Sequence, residues 1–64
     1  MRQTMTVDNK GNIILLTERN NNLSVNYKNI KYSNFSEFMK DAYGVDENAS
    51  SIDEAMKAIE KYNK

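Results

Sequence analysis

The most informative pattern in the chain is an apolar run that polar segments enclose. Residues 13–16 read Ile-Ile-Leu-Leu. In a β-strand, successive side chains point to opposite faces, so Ile13 and Leu15 share one face while Ile14 and Leu16 share the other. A strand that is covered on one side usually alternates apolar and polar residues, whereas a continuous apolar run is typical of burial on both faces. The run therefore predicts a strand with something apolar against each face.

Alternating patterns on both sides of this run predict further strands. Apolar and polar residues alternate over residues 3–7 and again over residues 23–27, which is the period of a strand with one apolar face. A short apolar segment at residues 30–32 predicts a fourth strand. Residues 3–32 are therefore predicted to form an antiparallel meander of three or four strands.

The segments between these strands have the composition of turns. Gly11 suits the left-handed position that closes a hairpin turn with a bulge. The Asn-rich residues 18–22 predict the next turn, because Asn tolerates a positive φ better than other residues that carry a side chain. Lys28 and Asn29 predict a tight turn into the fourth strand.

Helical periodicity begins after the strands. Asn34 and Ser51 each precede a Glu by three residues, which resembles a capping box, and Gly44 stands where a helix commonly ends. The spacing predicts helices over 34–43 and 52–62, each with one apolar stripe. The stripes consist of Phe35, Phe38, Met39, Ala42 and Tyr43 in the first helix, and of Ile52, Ala55, Met56, Ile59 and Tyr62 in the second.

Together these elements predict one small α+β domain over residues 1–64, of order ββββαα, in which two helices cover one face of the sheet. The expected core positions of the sheet are Met5, Val7, Ile13 or Ile14, Leu23, Val25 and Ile30. Only one of the pairs Ile13/Leu15 and Ile14/Leu16 can face the helices. Leaving the other pair in water forfeits roughly 1.5–3 kcal/mol for each side chain.

Two explanations account for the second apolar pair. One is a protein partner, either a second copy or a foreign protein. The other is screening of a central strand by its own long neighbours, such as Arg19, Tyr27 or Lys28. We take Ile14 and Leu16 as the pair in contact with a partner, or Ile13 and Leu15 if the strand register is the opposite one.

Composition narrows the chemistry that the chain can perform. It contains no Cys and no His, which leaves no disulfide, no ordinary zinc site and no His or Cys for catalysis. Ser36 and Lys40 are spaced like any Ser and Lys on an exposed helix. Asp46-x-Asn48-x-Ser50 matches the start of a calcium loop, but Lys57 stands where the loop needs Glu. We therefore predict no enzyme, no metal and no cofactor.

Membrane and secretion signals are also missing from the pattern. No apolar run approaches the length of a membrane span, and residues 1–4 do not open a signal peptide. We expect a cytoplasmic protein. The abundance of residues with AT-rich codons points to an AT-rich bacterial or phage genome, and small size and missing catalytic residues together with this composition predict a protein encoded by a phage or mobile element.

Charge is segregated along a chain whose net charge is zero. Residues 1–32 are net basic and residues 33–64 are net acidic. The acidic residues that could orient a basic partner are Asp46, Glu47, Asp53 and Glu54. The alternative is that they form an exposed loop and a favourable helix start. Asp53–Lys57 and Glu60–Lys64 are spaced as helical ion pairs.

We predict that the protein binds another protein without catalysis, as an accessory or inhibitor protein and as a homodimer. The alternative is a nucleic-acid-binding protein that uses the basic half of the chain. In that case Arg19, Lys28 and Lys31 contact phosphates, and Tyr27 and Tyr32 stack on bases.

Overall fold

A computed structural model describes residues 1–63, which form one four-stranded antiparallel sheet followed by two helices. The predicted ββββαα order is therefore confirmed, including the fourth strand. Lys64, and with it the predicted Glu60–Lys64 pair, lies outside the described residues. The elements are β1 (Arg2–Val7), β2 (Ile13–Arg19), β3 (Asn22–Tyr27), β4 (Ile30–Tyr32), α1 (Phe35–Tyr43) and α2 (Ile52–Tyr62), and the sheet order is β1-β2-β3-β4.

Each hairpin has the turn that its sequence favours. Gly11 has a φ of 85°, and its N–H donates to the carbonyl of Asp8 over 3.1 Å. The next two hairpins have two-residue loops, Asn20–Asn21 and Lys28–Asn29, in which all four residues have a positive φ. Two consecutive positive φ angles match the right-handed twist of the flanking strands.

The register of the turns decides which side chains face the helices. Val25 lies opposite Leu16, and Tyr27 lies opposite Ile14. Directly paired residues share a face of a sheet, so these four side chains lie together. We call this helix-covered side the inner face and the opposite side the outer face. The buried core consists of Ile14, Leu16, Leu23, Val25, Tyr27, Phe35, Phe38, Met39, Ala49, Ile52, Ala55, Ala58 and Ile59.

Three of the expected core positions are wrong. Met5 and Val7 point outward, because β1 pairs with β2 so that Thr4 and Thr6 face inward, opposite Leu16 and Ile14. Ile30 is opposite Tyr27 but remains 52% exposed, since it follows the turn at the end of the sheet.

The helices divide the inner face between them. α1 packs on β3 and β4, and α2 packs on β1 and β2. The carboxylate of Glu18 accepts the N–H of Ile52 over 3.0 Å at the start of α2. At its end, the side-chain amide of Asn63 donates to the carbonyl of Val7 over 2.8 Å. α2 therefore runs along the sheet from the Glu18 end to the first hairpin.

Both helices are capped as their sequences suggest. The side chain of Asn34 accepts the N–H of Glu37 over 3.0 Å, and that of Ser51 accepts the N–H of Glu54 over 3.3 Å. Gly44 ends α1 with a φ of 69°. Neither helix in the described part of the chain combines the length and apolarity needed to cross a bilayer.

Candidate protein-binding surface

Four aliphatic side chains lie side by side on the outer face, where no element among residues 1–63 covers them. Met5 is opposite Leu15, and Val7 is opposite Ile13. The exposed fractions are 65% for Met5, 59% for Ile13 and 48% for Val7, while Leu15 is half-buried. We call these four residues the outer apolar cluster. It joins two direct cross-strand pairs into one continuous surface at the first hairpin.

The pair that we first chose for partner contact is in the core instead. Ile14 and Leu16 are fully buried beneath the helices, so their side chains are not accessible to a partner of the folded chain. The register is the opposite one, and the alternative pair, Ile13 and Leu15, faces outward. Of the two pairs in the apolar run, Ile13 and Leu15 are therefore the pair on the outer face.

Screening by neighbours explains only part of the outer surface. Leu15 is half-buried between Met5 on one side and Asn26 on the other. Ile13 keeps more than half of its surface in water, and Tyr27, one of the expected screens, points to the inner face. Screening by neighbouring side chains therefore leaves much of Ile13 in water.

Sequence reasoning missed two members of the cluster, Met5 and Val7. Their alternation with threonine is correct, but alternation alone does not say which set faces the helices. The turn lengths carry that information. A two-residue loop at Asn20–Asn21 and a loop closed by Gly11 together fix which residues of β1, β2 and β3 share a face.

The rest of the outer face is polar and carries only positive charge. Glu18 is the one carboxylate within the strands of the described chain, and it faces inward, 3.8 Å from Arg2. Two open grooves cross the outer face. The larger, about 670 Å³, includes Ile13, Leu15, Lys28 and Lys31. The other, about 550 Å³, is lined by Met1, Gln3, Thr17, Arg19, Asn20, Asn22, Ser24, Asn26, Lys31 and Ser33.

The residues proposed for nucleic acid do not form one surface. Arg19, Lys28 and Lys31 are exposed, but Tyr27 is buried and packs edge-to-face on Phe38, with ring centroids 5.2 Å apart. A buried ring offers no face to a base. Base stacking on the outer face thus has no aromatic platform among its strand residues.

The hydroxyl of Tyr27 belongs to a hydrogen-bond network at the rim of the inner face. It donates to the carboxylate of Asp8, and this bond raises the pKa of Tyr27 to about 12. The same carboxylate accepts the backbone N–H groups of Lys10 (2.9 Å) and Asn12 (2.8 Å) and the side-chain amide of Asn12 (3.0 Å). Desolvation raises the pKa of Asp8, but these bonds outweigh it and hold the pKa well below its ordinary value.

The acidic residues lie on the helix side, away from the outer apolar cluster. Glu47 accepts the hydroxyl of Tyr62 over 2.8 Å and lies 3.7 Å from Lys61. Glu54 accepts the N–H of Ser50 over 3.0 Å, and this bond lowers the pKa of Glu54. Asp46 and Asp53 are exposed. Two of the four acids therefore have structural partners, and none shares a surface with the cluster.

Two other predicted features of this region can be placed. The side chain of Asn48, from the calcium-loop match, accepts the N–H of Ser36 over 3.2 Å at the start of α1. Among residues 1–63, the ion pairs within 4.0 Å are Arg2–Glu18 and Lys61–Glu47, so the expected Asp53–Lys57 pair does not form.

Comparisons with protein family models, with curated proteins and with solved structures find no match for this chain.

Proposed function

We propose that this protein acts by binding another protein through the outer face of its sheet, without catalysis. The observation that carries the proposal is the outer apolar cluster, Met5, Val7, Ile13 and Leu15, with three members at least 48% exposed. Isolated exposed aliphatic residues are ordinary on protein surfaces, but contiguous apolar patches commonly mark interaction sites. Four such residues in two adjoining cross-strand pairs form a patch.

The chemistry of the sequence supports a binding role over an enzymatic one. With no His and no Cys, the chain lacks the side chain most often used as general base and the thiol nucleophile. A small binding protein that blocks or adapts a larger one needs only a surface. We therefore propose an accessory or inhibitor protein, of phage or mobile-element origin as its composition suggests.

The apolar nature of the cluster favours a protein over a nucleic acid. Aliphatic side chains bury well against other aliphatic side chains, whereas single-stranded bases are held by exposed aromatic rings and by many cations. Of the two stacking residues that the nucleic-acid alternative needs, Tyr27 is buried and Tyr32 lies on the inner face opposite Val25, so neither ring is presented on the outer face.

Site-specific photo-crosslinking tests the proposal in cells that express the protein naturally. A photo-reactive residue replaces Gln3, which is exposed and lies beside the cluster on the outer face. The matched control replaces Lys57, which is exposed on α2. We expect a discrete protein adduct from position 3 and none from position 57. The same position-3 protein with Met5→Thr and Ile13→Thr should lose the adduct, since threonine keeps the strand but removes the apolar contact.

The mass of the adduct identifies the kind of partner. An adduct of twice the chain mass indicates a second copy, and a larger one indicates a foreign protein. Equal adducts from both positions, or an adduct that survives the threonine substitutions, would contradict the proposal that the outer face is the contact.

A further inference from the structure

The charges around the outer apolar cluster indicate what kind of partner fits it. Lys31 is exposed and lies on the outer face, in the row that Leu15 and Asn26 continue across the sheet. With adjacent strands about 4.8 Å apart, Lys31 is about 10 Å from Leu15 at the backbone, within reach of one bound segment. Lys28 follows β3 in the turn at the rim of the same groove.

Among residues 1–63, no carboxylate lies beside Lys31 on the outer face, whereas Lys28 also lines a pocket with Asp8 and Asp41 at the rim near α1, and its ammonium is 5.4 Å from the centroid of the Tyr27 ring. Neither groove contains a carboxylate, and Glu18, the acid within the strands, faces inward. The acids of the second half of the chain lie on the helix side. A partner that covers the cluster therefore meets cations at its margin and must supply the opposite charge or leave those cations without a counter-ion.

On this basis, which rests on the proposed function, we infer that the groove binds an acidic segment of a foreign protein, with apolar side chains on Ile13 and Leu15 and carboxylates against Lys28 and Lys31. A second copy fits less well. Two outer faces brought together would oppose cations with cations, because the described residues offer no carboxylate on the outer face in exchange.

The inference is tested by selecting binders from a random peptide library on the wild-type chain. Two variants serve as comparison baits. Lys28→Glu with Lys31→Glu reverses the charge of the groove, and Lys40→Glu with Lys57→Glu makes the same change in net charge on exposed positions of the helices. Correct folding of all baits is checked by circular dichroism and thermal unfolding.

We expect the selected peptides to combine apolar residues with more Asp and Glu than the input library contains. Their affinity should fall about tenfold on the groove variant, and change little on the helix variant, because opposite rim charges become like charges. Raising the salt concentration should weaken binding to the wild type and not to the groove variant.

Each other result contradicts the inference in a distinguishable way. Peptides that lose binding with Ile13→Thr and Leu15→Thr, yet show no enrichment in acids and bind both charge variants equally, would overturn the acidic partner while the proposed function stands. A chain that sediments as a dimer, becomes a monomer with those threonine substitutions and selects no peptide has a second copy on its outer face. Binding to a single-stranded oligouridine that the groove variant loses, with no peptide selected, would overturn both.

Discussion

Neighbouring residues of β2 differ completely in their surroundings. Ile14 is fully buried against β3 and the helices, while Ile13, the same residue type one position earlier, is 59% exposed. The two faces of the sheet differ in whether the chain covers them. The inner face closes the core without help, and its buried side-chain polar atoms all have hydrogen-bond partners within the described chain. In the described part of the chain, no element packs on the outer face. The fold thus buries one alternating pair of the apolar run, Ile14 and Leu16, and leaves the other pair, Ile13 and Leu15, on the outer face.

The largest effect should separate these two isoleucines. Ile14→Ala should lower the free energy of unfolding by about 2–5 kcal/mol, since it removes buried methyl groups and leaves a cavity. Ile13→Ala should lower it by less than about 1 kcal/mol, because the side chain is mostly in water and only strand propensity changes. Urea unfolding of both variants at neutral pH measures the difference. Similar losses would mean that something covers Ile13 in solution, and dilution would then reduce the loss if that cover is a second copy.

The second comparison concerns the rim of the inner face, where Asp8 bonds to Tyr27. Asp8→Asn should lower the free energy of unfolding by about 1–3 kcal/mol at neutral pH, because a charged acceptor of four hydrogen bonds is replaced by a neutral amide. Tyr27→Phe is the matched control. It removes one of the four bonds and should give a smaller loss.

The sign of the pH dependence follows from the lowered pKa of Asp8. Its contribution is fully present above the unfolded pKa of about 3.9 and is lost as the pH falls toward the lower folded value. The difference in free energy of unfolding between wild type and Asp8→Asn should therefore be constant near neutrality and become smaller below about pH 4. The raised pKa of Tyr27 predicts that the stabilisation from the bond between Tyr27 and Asp8 is also lost in alkali, between about pH 10 and the folded pKa of about 12. If this difference in free energy does not change in acid, the ionised carboxylate of Asp8 does not stabilise the fold.

Much of this architecture is predictable because local patterns determine it. Leu23 and Val25 alternate with polar residues, so β3 has one possible inner face, and the stripes and caps of the helices agree with each other. The orientation of β2 is different. Both of its faces are apolar, so its own pattern cannot choose between Ile13 and Ile14.

The choice of Ile14 and Leu16 as the outward pair is wrong because the local pattern of β2 is ambiguous. The two-residue loop at Asn20–Asn21 sets the register of β2 on β3 and so decides which side chains of β2 face inward. The turn at Gly11 does the same for β1 on β2. Loop length is a relation between strands and is not visible in either strand alone. For that reason the strand pattern predicts Met5 and Val7 in the core, whereas the pairing with β2 puts them on the outer face. The separation of the acidic residues from the cluster depends on the packing of α2, which sequence spacing does not report.

A smaller effect should come from destabilising α2, which packs on the inner face. Ser51→Ala removes the hydroxyl that caps α2 and should lower the free energy of unfolding by about 1 kcal/mol. Ser50→Ala is the control at the preceding position, where the hydroxyl contacts only the exposed side chain of Glu54, over 3.2 Å. Thermal unfolding compares the two. Equal losses would show that the Ser51 cap contributes nothing beyond that neighbouring contact.

The smallest expected effect comes from replacing one threonine hydroxyl with a methyl group on each face. Thr6 is half-buried on the inner face opposite Ile14, so Thr6→Val should raise the free energy of unfolding by about 0.5 kcal/mol, as apolar surface joins the core. Thr17 is on the outer face, where its hydroxyl accepts the side-chain amide of Gln3 over 3.2 Å. Thr17→Val should not stabilise the isolated chain and should instead extend the outer apolar cluster, which concentration-dependent sedimentation detects. If the outer valine stabilised a monomer as much as the inner one, the outer face would already be covered from within, and the case for a partner would fail.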